Sequence, residues 1–275
     1  MFTINCKGQL ISLEQPLIMG IINTTTDSFY ADSRQTSVDR VLFTAEKMIS
    51  EGATILDIGG QSTRPGHIIH TEETELKAVL PAIEAISKRF PEIVISIDTY
   101  RSKVANYSCS AGASVINDIS GGSDPDMFSV AAISKAVYIL MHIKGTTDTM
   151  HHQKEYSNIL TEISDYFIHK SYDCYNAGIK DVILDIGIGF SKSIEENYFL
   201  LKNLNVFAAL DLPLLIGLSR KSFIYKALGT SPDDALNSTT ALNFLSLTKG
   251  AKILRVHDVK EAVELVKLWQ LYKGQ

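Results

Sequence analysis

Leu17-Ile18-Met19-Gly20-Ile21-Ile22-Asn23 is an apolar run that stops on a polar side chain, and the same figure returns along the chain. Residues 55–58 carry Asp57 inside the run and end on Gly59, and residues 93–97 end on Asp98. Val115-Ile116 leads into Asn117 and Asp118, 137–141 into His142, and Val182-Ile183-Leu184 into Asp185. The run 212–218 gives way to Ser219, Arg220 and Lys221, and Ile253-Leu254 to Arg255, Val256 and His257. Buried strands of a parallel sheet read as near-continuous apolar runs. Repeated in this way between helical patterns, they specify an α/β fold, the (β/α)8 TIM barrel, in which the C-terminal strand ends share one face that carries the chemistry.

The bounds agree. A length of 275 residues suits one barrel of about 250, and no linker or low-complexity stretch divides it, so 1–275 reads as a single domain. A net charge of −5 gives no general attraction for nucleic acid or an anionic membrane, so an anion must bind at a local cationic patch. Cys6, Cys109 and Cys174 are odd in number and lack metal-ligand spacing, as expected of reduced thiols in the cytoplasm. The N-terminus shows no signal-peptide pattern, and no window approaches the roughly 18 apolar residues of a membrane helix. A soluble, unprocessed cytoplasmic protein is expected.

Helix punctuation is legible. Thr36 or Ser37 is expected to open a helix through Glu51, and Thr71 one through about Phe90 that Pro81 should kink or divide. Asp124-Pro125-Asp126 should start a third with proline in its first turn, and Ser193-Ile194-Glu195-Glu196 carries a capping-box signature. Ser231-Pro232-Asp233-Asp234 should open a helix to Lys249, and 259–272 is amphipathic. Lys7-Gly8, between 2–5 and 9–12, reads as the turn of a hairpin placed to plug the barrel bottom.

Several strand ends suit particular chemistry. Arg220 and Lys221 directly follow strand seven at an expected helix start, where adjacent cations are unfavourable unless an anion compensates. Arg255 and His257 point the same way from strand eight, and loops seven and eight are the recurrent phosphate site of this barrel. Asp98, Asn117 and Asp185 end strands three, four and six; any one of them also suits a local turn cap. Together they better match a planar heterocycle with an amide and guanidine-like edge, such as a pterin or purine, whose paired N–H groups a carboxylate accepts. The polar loops 23–29 and 59–66 are candidate lids. Asn23 is placed to give Mg²⁺ one oxygen, the rest coming from water and phosphate. The histidines lack the carboxylate partners of a catalytic zinc site, and no role is assigned to His142 beyond a structural one.

At these residues the chain closely resembles the dihydropteroate synthase family of pterin-binding barrels. The matching segments include Met19-Gly20-Ile21-Ile22-Asn23, 57–66, Ser96-Ile97-Asp98-Thr99, Ile116-Asn117-Asp118, Met141-His142, 185–190, 217–222 and 254–258, in order from strand one to strand eight. The resemblance implies condensation of 6-hydroxymethyl-7,8-dihydropterin diphosphate with 4-aminobenzoate to 7,8-dihydropteroate and diphosphate. It places the pterin on Asp98, Asn117, Asp185 and Lys221, Mg²⁺ on Asn23, and the diphosphate on Thr63, Arg255 and His257. Thr63, Arg64, Pro65, Phe190, Lys221 and Ser222 would frame the aminobenzoate, and Asn23, Lys221, Arg255 and His257 would carry the catalysis. A homodimer and inhibition by sulfonamides are implied as well.

The chain departs from the family pattern at Gln61, where glutamate is usual, and at Thr26 and Ile186, where proline is usual. These bear on lid behaviour and aminobenzoate affinity more than on the reaction. The rival readings are a methyltetrahydrofolate:corrinoid methyltransferase, a Schiff-base aldolase built on Lys221, and a non-catalytic pterin-binding protein. The first has no diphosphate to bind, and the second wants its lysine within a strand.

Overall fold

Lys7 and Gly8, with φ of 52° and 95°, turn the chain between β1 (Thr3–Cys6) and β2 (Gln9–Ser12), which pair antiparallel. The computed structural model describes residues 2–24, 34–61, 70–147, 149 and 155–274. The strands that follow are β3 (Leu17–Asn23), β4 (Ile55–Gly59), β5 (Val94–Asp98), β6 (Val115–Asp118), β7 (Val137–Met141), β8 (Val182–Asp185), β9 (Leu214–Ile216) and β10 (Ile253–Val256). They pair in parallel in chain order, and β10 closes the barrel on β3 with Ile253 opposite Leu17. The expected barrel and hairpin are both present.

Alternation along each strand creates two apolar zones. Outward residues such as Ile18, Leu56, Ile97, Ile116, Leu184 and Leu254 join the core shared with the helices. Inward residues such as Met19, Ile55, Val94, Ile139, Ile183 and Leu215 fill the barrel, and Ile4, Cys6 and Leu13 from the hairpin segment pack with them. The hairpin is thus the plug that its position implied.

The helices are α1 (Arg34–Glu51), α2 (Glu72–Arg89), α3 (Ser102–Ala111), α4 (Met127–Ile133), α5 (Ile159–Asn176), α6 (Ile194–Lys202), α7 (Ser222–Leu228), α8 (Leu236–Thr248) and α9 (Val259–Lys273). Thr71 caps α2 by accepting from the Thr74 amide. The Ser193–Glu196 capping box closes in both directions, at 2.7 and 3.1 Å. Four expectations need correction. α1 is already helical at Arg34, ahead of Thr36 and Ser37. Of the expected kink or division at Pro81, the division does not occur: α2 runs through Pro81, which sits on the exposed side while Ala78, Val79, Ala82 and Ile83 anchor the buried side. Asp126 is the N-terminal flanking residue of α4, which leaves Pro125 outside the helix. Pro232 opens a short 3₁₀ turn, Asp233–Ala235, before α8 begins.

Candidate active site

The inward column of each strand turns from apolar to polar on rising toward its C-terminal end. Above the apolar layers, Asn23, Asp57, Ser96, Asp98, Asn117, Asp185 and Arg255 share the inward parity. Arg255 ties three strands together. Its Nε donates to Asp57 Oδ2 at 2.6 Å and its Nη2 to Asp98 Oδ2 at 2.6 Å, while Asn117 Nδ2 donates to Asp57 Oδ2 at 3.0 Å. Burial raises the Asp98 pKa to about 7 against the pull of Arg255, with Asp57 adding repulsion. Arg255 itself is held protonated, because the two carboxylates outweigh the cost of its burial. Asp57 Oδ1, an acceptor, and the Ser96 hydroxyl, which can donate or accept, are buried without a hydrogen-bond partner among the described residues, so carboxylate acceptors dominate the pocket.

A second group comes from the end of β8 and the loop after β9. Asp185 Oδ1 accepts from the Gly187 amide at 2.8 Å, which spends one oxygen on the local turn; burial raises this carboxyl's pKa, with Lys221 opposing. Lys221 is the N-terminal flanking residue of α7, and Ser222 is that helix's first residue. The Lys221 ammonium donates to the Ile188 carbonyl and lies 4.1 Å from the centroid of the Phe190 ring. Burial lowers the Lys221 pKa to about 8, with Asp185 opposing. Gly189 has φ of +83°, and a Cβ there would stand 2.8 Å from Lys221 Cδ, so glycine is needed on both counts. Phe190 also packs with Met141, Ile119 and Ile143 in an apolar patch beside the polar pocket.

The two cations after β9 have different tasks. Arg220, at φ of 55°, makes paired 2.9 Å bonds to Asp258 and further bonds to the carbonyls of Pro232 and Asp233. It locks the loops after β9 and β10 together, so the anion that its position seemed to require is a side chain of the protein. His257, just past β10, donates its amide to Ser219 Oγ at 3.2 Å and holds Nδ1 3.1 Å from the same oxygen.

Asn23, Asp98, Asn117, Asp185, Phe190, Lys221, Ser222, Arg255 and His257 all stand at the C-terminal strand ends or in the loops that follow. Thr63, Arg64, Pro65 and Thr26 lie outside the described residues. Gln61 accepts from the His70 amide at 3.0 Å, and Arg101 donates to the His70 carbonyl at 2.7 Å and to the buried Glu75 carboxylate. A neutral glutamine therefore serves at 61 as an acceptor. Sequence reading missed Asp57, because a residue within a strand was passed over in favour of strand ends; a charge of inward parity was the available signal. Ser219, which holds His257, had no signal beyond its place next to Arg220.

Among the described residues no three His, Cys, Asp or Glu side chains form a metal-holding group. Asn23 is opposite Gly59, and a Cβ at Gly59 would lie 3.8 Å from Asn23 Oδ1 and 3.7 Å from Asp98 Oδ2. One amide oxygen at the exposed rim, with no protein cage around it among the described residues, suits an ion such as Mg²⁺ that keeps waters and takes phosphate oxygens.

Residues 19–257 match the family described as pterin binding enzyme. The chain is 40% identical to the dihydropteroate synthase of Escherichia coli (strain K12) over 264 residues, 95% of this chain and 93% of that one. It is similar in structure to Yersinia pestis dihydropteroate synthase in a sulfonamide drug complex, with TM-score 0.92, 37% identity and 99% of each chain covered. It is also similar to Xanthomonas albilineans dihydropteroate synthase with 4-aminobenzoic acid, with TM-score 0.91 and 33% identity over 99% of this chain and 98% of that one.

Proposed function

Because this chain belongs to the dihydropteroate synthase family of pterin-binding enzymes, we infer that it catalyses the condensation of 6-hydroxymethyl-7,8-dihydropterin diphosphate with 4-aminobenzoate. The products are 7,8-dihydropteroate and diphosphate. The observation that carries the assignment of residues is the set of inward acceptors: Asp98, Asp185 and the Asn117 amide face one space, where the Arg255, Asn117 and Gly187 donors are already bonded to carboxylates. A pterin supplies the missing N–H groups along its amide and guanidine edge, and paired bonds to a carboxylate are strong. Lys221 covers the ring from the opposite side and donates to it. Ionised Asp98 is the form that accepts, so pterin binding should lower the pKa of that carboxyl from about 7.

The reacting carbon is the methylene that joins an electron-rich dihydropterin to diphosphate. Its C–O bond breaks with carbocation character, the electron pair leaving with the diphosphate. The aniline nitrogen then forms the new C–N bond and loses its proton to solvent. An aromatic amine is unprotonated at neutral pH, so the protein needs no strong base, and the main task is to stabilise departing charge. Thr63, Arg255 and His257 serve the diphosphate, His257 being set by Ser219. Asn23 would hold Mg²⁺ beside the diphosphate, and the ion would supply further neutralisation of the leaving group. Thr63, Arg64, Phe190, Lys221 and Ser222 frame the aminobenzoate, and its carboxylate lies toward Ser222.

Two further parts of this reading concern setting. The chain acts in the cytoplasm, a reading supported by its three free, buried cysteines. It forms a homodimer, supported by the exposed Leu245 on α8 and Leu268 and Leu271 on the adjoining α9. The assay that tests the function is diphosphate release. It should require 4-aminobenzoate, yield one dihydropteroate per diphosphate, and be inhibited by sulfonamides in competition with aminobenzoate. Release that ignores aminobenzoate, or inhibition that is non-competitive, would contradict the reading.

A further inference from the structure

Lys192 and His142 lie outside the set of residues that the reaction uses, yet both are buried, at 7% and 4% exposure. Lys192 Nζ donates to the carbonyls of Gly187 at 2.9 Å and Phe190 at 3.0 Å, and stands 3.3 Å from His142 Nδ1. An ammonium has three N–H donors, and here each has an acceptor. Burial, reinforced by Lys192, lowers the His142 pKa to about 2, so the imidazole is neutral, and with its proton on Nε2 it accepts at Nδ1. Filling this space with an aliphatic side chain would avoid the several kcal/mol that desolvating an ammonium costs. Burial lowers the Lys192 pKa to about 7, with Asp185 opposing, and a buried amine given three partners at this point calls for a task beyond packing.

The task is legible in the loop between β8 and α6. Its backbone enters the left-handed region at Gly187, Gly189 and Ser191, with φ of 67°, 83° and 55°. Such a path turns carbonyls inward, and those of Gly187 and Phe190 converge on Lys192. The opposite side of the loop is fixed by buried Asn197, whose Oδ1 accepts from the Gly189 amide at 2.6 Å. The segment held between these two side chains presents two groups to the active site: the Ile188 carbonyl that receives the Lys221 ammonium, and the Phe190 ring against which Lys221 rests.

We propose that Lys192, backed by His142, is a positioning residue that shapes the 187–190 loop and so sets Lys221 and Phe190 for the aminobenzoate. The chain of contacts runs from His142 Nδ1 to Lys192 Nζ, to the Gly187 and Phe190 carbonyls, and then to the Phe190 ring and the Lys221 ammonium. Asp98 and Asn117, two of the four pterin contacts, stand on strand ends that this loop does not shape, whereas the aminobenzoate rests on Phe190 and Lys221, so the aminobenzoate should respond more strongly. The inference rests on the reaction given above.

The test is Lys192→Met in the full-length protein, with the KM for 4-aminobenzoate measured by diphosphate release and the Kd for bare pterin by calorimetry. The KM should rise by about tenfold or more while the pterin Kd moves by less than about threefold. An unchanged KM, or an equal rise in both constants, would overturn the proposal. Should Lys192→Met not fold, His142→Leu and His142→Asn decide, since only asparagine keeps an acceptor near Nδ1. Leucine should raise the KM and asparagine should return it to within about twofold of the parent value, and equal KM values in the two variants would overturn the proposal. The unmodified chain serves as the control for the reaction: its failure to release diphosphate with 4-aminobenzoate would sink the functional reading, whereas turnover with an unmoved KM sinks the positioning role alone.

Discussion

Arg255 shows how a single side chain acquires a second duty in the folded molecule. Its position after the apolar run of strand eight points to diphosphate binding, and with that duty alone Arg255→Ala would leave affinity for the bare pterin intact. The guanidinium, however, bridges the Asp57 and Asp98 carboxylates. Removing it leaves two buried acids without their counter-charge, a change that costs about 3 kcal/mol or more when a buried pair is broken. Arg255→Ala is therefore expected to lower the denaturant midpoint and to weaken bare pterin as well, because Asp98 becomes harder to ionise. Calorimetric pterin affinity equal to that of the parent would show that the bridge does not organise the pocket. Asp57, which Arg255 contacts, and Lys192, in the loop after β8, explain what sequence reading could not reach. Asp57 interrupts an apolar run, and its inward parity is visible only once the strand's phase is fixed. Lys192 lies in a loop, where no periodicity reports that a side chain turns back into the core.

Among the elements, those with strong local signals appear where their residues place them. Thr71 and Ser193 cap their helices because each offers an oxygen to amides that the first turn leaves unpaired. Apolar runs became strands because the barrel buries both of their faces. The misreadings fall where two local rules compete. Pro81 is a helix breaker by chemistry, yet a continuous buried face keeps α2 whole, and Pro232 opens a 3₁₀ turn instead of the helix itself. Loop conformations such as 187–191 depend on buried partners far away in the chain, which no local pattern encodes. The hairpin offers a test at this level, since Ile4 is 2% exposed within the inner core and lies far from the strand ends. Ile4→Ala should cost about 2–4 kcal/mol in urea unfolding through the cavity it leaves, with both substrate KM values unchanged. A change in KM without a change in stability would mean that the plug communicates with the site.

The whole barrel separates stability from chemistry along its axis. The hairpin and the apolar inward layers occupy the N-terminal end, and the polar inward residues, the Arg220–Asp258 clasp and the Lys221 loop occupy the other. Eight parallel strands bring to one rim side chains that are up to 234 positions apart, from Asn23 to His257. That convergence was readable because parallel strands all end on the same face, so a polar residue at each strand end is enough to locate the pocket. What a list of strand ends cannot convey is the pairing among them, in which Arg255 takes one oxygen of Asp98 and the Gly187 amide takes one oxygen of Asp185. Titration of bare pterin into the parent protein and into Asp185→Ala, followed calorimetrically, probes this arrangement. The parent should bind with one site per chain, and the variant should lose at least about a hundredfold in affinity, as expected when paired bonds to a carboxylate are removed. Retention of parental affinity in a folded Asp185→Ala protein would mean that the polar strand ends of this barrel are not its pterin pocket.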